Sequence, residues 1–180
     1  MALHKQAWGH LAGRFFGALR PGGPTEADRA WVEAVLEPAE YGLWARQPGY
    51  DRRHSAEVAR QVEAALAGGA HADDSRWLAC ALLHDIGKLA AGLGTSGRVL
   101  ATLVGRATDG AVGDWEEHRG LRRRIALYLR HPELGADMIK MAGGRAEVAH
   151  WAGAHHDRAR LDASLFPATV VAALVAADND

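Results

Sequence analysis

The chain has 180 residues, 48% of them hydrophobic and 24% charged, with a formal net charge of -1. That length suits one domain with a real core, and the near-neutral balance excludes a general attraction to nucleic acid or to acidic membranes. One cysteine, Cys80, excludes an intrachain disulfide and fits a reducing, cytoplasmic setting. We expect no leader peptide and no membrane span, because apolar stretches such as Phe166 to Ala177 are too short.

Residues 1–24, ending in Arg20-Pro21-Gly22-Gly23-Pro24, read as an N-terminal helical arm, and residues 25–180 as the domain proper. Thr25 with Asp28 three residues on is a capping pattern. It starts a helix carrying Trp31, Val32, Val35 and Leu36 on one face, which Pro38 interrupts. A second helix is predicted over His54 to Leu66, with Val58 and Val62 at helical spacing and Gly68-Gly69 as its stop. Asp73 or Asp74 caps the next, in which Trp77, Leu78, Ala81 and Leu82 lead to His84-Asp85. A glycine-rich connector over Ala91 to Gly97, a short helix over Val99 to Val104 and a loop over Thr108 to Asp114 follow. Leu121 to Leu129 is helical. Pro132 suits the first residue of a helix running to Met141, and Arg145 to His155 and Pro167 to Ala177 complete the chain. β-Branched runs are rare, so the fold class is all-α: a single-domain helical bundle with a metal site between helices. Trp31, Trp44, Trp77 and Trp151 are core or groove packing.

His84-Asp85 puts an imidazole and a carboxylate side by side at the end of an apolar segment. Burying either is unfavourable without a partner, and a divalent ion partners both. His54 upstream, and His131, His155, His156 and Asp178 downstream, add ligands of the same kind. All are assigned to helix ends, which can converge in a bundle. His54, His84, Asp85 and Asp178 would hold one ion at about zero net charge. His131, His155 and His156 would hold a second, sharing Asp85, at the ~3.5–4 Å spacing of two-metal sites. Consecutive helical histidines point different ways, so His155 is the first choice and His156 faces solvent or stands behind it. Mixed nitrogen and oxygen donors point to Mn, Fe, Co, Ni, Zn or Mg. Lys88, one turn past His84, is positioned to steady a phosphate oxygen, and Arg53 is a further phosphate contact.

Other features carry plainer readings. His150 is off the His155 face and structural; His4, His10, His71 and His118 are surface residues. Arg122-Arg123-Arg124 is a solvated helix face. The Gly92-to-Gly97 segment lacks the ending of a phosphate-binding P-loop.

The order His54, His84-Asp85, Asp178 resembles the H…HD…D signature of the HD-domain superfamily of metal-dependent phosphohydrolases. Leu83-His84-Asp85-Ile86-Gly87-Lys88 is similar to its central motif. Arg130-His131-Pro132-Glu133-Leu134-Gly135, His155-His156-Asp157 and Ala177-Asp178 resemble later motifs of the HD-GYP branch, although no Gly-Tyr-Pro follows the paired histidines. The resemblance implies an all-helical, metal-dependent hydrolase of a nucleotide or another small phosphate ester, with Asp85 and Lys88 catalytic. A homodimer is compatible with it. The alternative is a non-catalytic sensor of the same fold that binds metal and nucleotide.

Overall fold

The computed structural model describes residues 22–179, and Thr25 caps the first helix among them; the expected arm falls, over residues 1–21, outside them. The Thr25 hydroxyl accepts the Asp28 N–H at 3.1 Å, and the Asp28 carboxylate accepts the Thr25 N–H at 3.3 Å. This capping box satisfies two orphan donors and starts α1 (Glu26–Val35), whose Val32 is fully buried. Pro38 does more than interrupt. It opens α2 (Pro38–Ala45), a helix the periodicity does not announce. With eight residues and a central glycine, α2 has little repeating pattern, yet it buries Glu40, Leu43 and Trp44.

α3 runs over Gly49–Leu66 and so starts five residues before the expected boundary at His54. The added turn, Gly49-Tyr50-Asp51-Arg52-Arg53, is polar and shows no apolar period, and Pro48 stands at its cap. His54 therefore sits inside the helix rather than opening it. Asp74 caps α4 (Ser75–Leu83) by accepting the Arg76 N–H at 3.1 Å. Every residue from Trp77 to Leu83 is buried, as expected of a helix apolar all round. α4 is accordingly the hub, packed on α1, α2 and α3 and on the two helices that close the chain's order, α9 (Ala146–Ala154) and α10 (Ala168–Asn179). Large side chains such as Trp44, Trp77 and Trp151 fill the space between them. Each contributes about 2–3 kcal/mol through burial.

Between α4 and α9 lie α5 (Lys88–Ala91), α6 (Thr95–Thr108), a 3-10 turn over Gly113–Glu117, α7 (Leu121–Leu129) and α8 (His131–Ala142). The connector is shorter than expected and α6 longer at both ends. Thr95, Ser96 and Gly97 resemble loop residues, but polar and small residues suit a helix start. α5, α6 and α7 enclose a small cluster of their own, Ala91, Leu93, Ala101 and Ile125. α8 lies against α9 and so joins the main core through Ile139. Among the described residues there is no strand, and no helix is long and apolar enough to cross a membrane.

Candidate metal centre

Three histidines share one local device. After Leu83 the backbone tightens to three-residue bonds: Ile86 N–H to the Leu83 carbonyl at 3.1 Å, Lys88 N–H to the Asp85 carbonyl at 3.0 Å. His84 follows the helix end, and its Nδ1 lies 2.8 Å from the Ala81 carbonyl three residues back. His155, just past α9, does the same to Ala152 at 2.9 Å. The last carbonyls of a helix lack intrahelical donors, so each imidazole satisfies one. His131 repeats the pattern across the α7–α8 joint, with Nδ1 2.7 Å from the Tyr128 carbonyl. Pro132, four residues after Tyr128, has no N–H to offer that carbonyl. A carbonyl only accepts, so each Nδ1 carries the hydrogen and each Nε2 is turned inward.

Those three Nε2 atoms are buried and make no hydrogen bond. They surround two carboxylates. His84 Nε2 lies 3.3 Å from Asp85 Oδ2 and 3.3 Å from Asp178 Oδ1. His131 Nε2 lies 3.1 Å, and His155 Nε2 3.8 Å, from Asp85 Oδ1. The His54 ring is 5.9 Å from the His84 ring. Two groups of donor atoms result, each within 4.8 Å: His54, His84 and Asp85, and His131, His155 and His156. Asp85 stands between them, one oxygen toward each.

His156 joins the second group although it is the exposed member of the pair, as expected of the one behind His155. α9 ends at Ala154, so helical divergence does not apply to two residues in the following turn. The His156 ring lies 5.0 Å from that of His131 and 4.1 Å from that of His155.

The electrostatics select a cation. Burial disfavours a charged imidazole at His84, yet the Asp85 and Asp178 carboxylates raise it to about 10. Burial, followed by the charge on His84, lowers His155 to about 3. Desolvation and the neighbouring His131 lower His156 to about 4. Burial would raise the Asp85 carboxyl, but Lys88 and His84 hold it well below the usual carboxylate range. Without an ion the pocket thus holds neutral His155 and His156 and a protonated His84 beside ionised carboxylates. A divalent transition ion, for which this is a donor set, would take the place of the His84 proton.

Lys88 donates to Asp85 Oδ2, and its Nζ lies 5.8 Å from the Tyr128 ring. It is therefore at the edge of the cluster, at the start of α5 rather than at a helix C-terminus. Arg53 is engaged elsewhere: it donates to the Gly22 carbonyl at 3.0 Å and lies 4.0 Å from Glu57. Arg124 is more than a solvated cation, for it donates to the Ala91 carbonyl at 3.0 Å and ties α7 to α5. His150 is structural, accepting the Asp162 N–H at 3.0 Å. His71 packs edge-on against Trp77; His4 and His10 lie outside the described residues.

Sequence reasoning passed over Tyr128, the backbone acceptor beside Lys88, and Gly87. The Pro132 signal, set four residues after Tyr128, was available for the first. For Gly87 the signal is close approach: a Cβ there would overlap the His131 carbonyl oxygen and stand 2.6 Å from the Gly135 nitrogen.

Residues 52–174 match the family model described as the HD domain. No curated protein and no solved structure matches the chain.

Proposed function

The chain belongs to the HD-domain family, and from that premise we propose that it is a metal-dependent hydrolase of a small phosphate ester or nucleotide. The observation that carries this reading is the set of three buried, unbonded Nε2 atoms aimed at Asp85 and Asp178. Unsatisfied buried nitrogen is costly, and three around two carboxylates fit a cation. His54, His84, Asp85 and Asp178 would hold one ion, His131, His155 and His156 a second, with Asp85 shared. Such ions supply Lewis acidity toward a phosphoryl oxygen and acidify the attacking water.

The protein's own groups do the rest. The carbonyls of Ala81, Tyr128 and Ala152 keep each imidazole in the tautomer and orientation that present Nε2. Lys88, held at Asp85, offers its remaining N–H bonds to an equatorial phosphate oxygen. Kinship with the HD-GYP branch rests on the motifs at His131-Pro132 and His155-His156. The missing Gly-Tyr-Pro favours a substrate other than that branch's cyclic dinucleotide.

Purified protein is expected to carry one or two transition ions per chain by elemental analysis. With Mn, Co or Ni it should hydrolyse phosphomonoesters, nucleotides or cyclic dinucleotides. His84→Ala and Asp85→Ala should each lose the metal and the activity. Metal retained in both variants, or no turnover of any ester class by the loaded wild type, defeats the proposal.

A further inference from the structure

Arg98 lies in the first turn of α6 and is 12% exposed. Its guanidinium acts in three directions. Nη1 and Nη2 grip the Asp51 carboxylate at 2.7 and 2.8 Å. Nε donates to the Leu93 carbonyl at 3.0 Å. Its carbon lies 4.9 Å from the centre of the Tyr50 ring. Tyr50 and Asp51 are on α3, four and three residues before His54, and so on its face of the helix. Leu93 closes the segment that begins at Lys88. One side chain therefore spans 47 residues of sequence and joins the helix of His54 to the segment of Lys88.

α5 and α6 share a cluster of four buried residues, Ala91, Leu93, Ala101 and Ile125. Leu89 packs α5 on the main core and Arg124 ties it to α7, but of these ties only Arg98 joins the segment to α3. An exposed ion pair would add little. This one is two-pronged and nearly closed to solvent on both sides, at 12% and 13% exposure, where guanidinium–carboxylate bonds are strong and directional.

We propose that Arg98 is a positioning residue: it clasps α3 to the Lys88–Leu93 segment and so fixes Lys88 relative to the histidines for phosphate binding. The proposal rests on the phosphohydrolase reading for its ligand, but the clasp itself is tested separately.

The experiment measures inorganic phosphate binding to the Mn-loaded protein by calorimetry, in a double-mutant cycle. Arg98→Ala should keep full metal content yet weaken phosphate binding about tenfold, while in a Lys88→Met background it should change it by less than about twofold. Arg98→Lys keeps the charge without the two-point grip, so its loss should be intermediate. Hydrogen exchange in Arg98→Ala should quicken over residues 92–98 and the first turn of α3, with α4 unchanged. An equal loss of phosphate affinity in both backgrounds, or unaltered exchange at those two places, overturns the proposal. Wild-type protein that takes up Mn but ignores phosphate counts against the hydrolase reading. The exchange data then decide on the clasp alone.

Discussion

Gly87 sets how closely the His84-Asp85 turn approaches the start of α8. Its φ of -64° is open to any residue, so the requirement is space and not backbone freedom. The backbone of His131 and Gly135 occupies the place where a Cβ would go, and backbone yields far less than a side-chain tip. Gly87→Ala should therefore push α8 away, cost about 3 kcal/mol of stability by overpacking, and separate His131 from Asp85. Denaturant unfolding and elemental analysis check both. Gly135→Ala is the internal control. Its Cβ would meet the Gly87 nitrogen at 3.2 Å, a contact that a small shift relieves, so a milder loss is expected.

At the scale of elements, the connection between α2 and α9 depends on a buried ion pair. Glu40 is fully buried. Arg145, the residue before α9, binds it through Nε at 3.0 Å, Nη2 at 2.5 Å and its own backbone N–H at 3.0 Å. Burial would raise the Glu40 carboxyl, but Arg145 holds it below its ordinary 4.5. A carboxyl lowered in the folded state adds stability above its unfolded value, and that stability is lost as pH falls through the folded value. Glu40→Gln leaves Arg145 only the looser, half-exposed Glu37 carboxylate at 3.8 Å and should cost about 3 kcal/mol at neutral pH. The difference from wild type should shrink as pH drops below 4.5. Unfolding midpoints measured across that range check the sign: a gap that widens in acid contradicts it.

For the whole molecule, the candidate ligands come from α3, the turn after α4, α8, the turn after α9, and α10. An ion bound among them links segments far apart in sequence and binds only the folded chain. Free Mn at about a hundred times its dissociation constant should raise the unfolding free energy by about 2.7 kcal/mol. A chelator should reverse the gain. A midpoint in urea that ignores Mn and chelator alike excludes an ion tying these helices together. The α5–α7 cluster holds no proposed ligand, so it should gain least and open first.

Apolar spacing and helix punctuation were enough to read most helices, including Leu121–Leu129 to the residue, because amphipathic faces and caps are local. The HD motif and its companion histidines were legible for the same reason: each is a short run of chemically distinct residues. The start of α3, all of α2 and the length of α6 were not, since polar first turns and short helices take their stability from packing rather than pattern. Nor were the partners of Asp51 and Glu40, which lie 47 and 105 residues away. Which residue types could bind a cation was written in the chain. Only the tertiary structure decided that their Nε2 atoms meet at Asp85, because that depends on where five separated segments end in space.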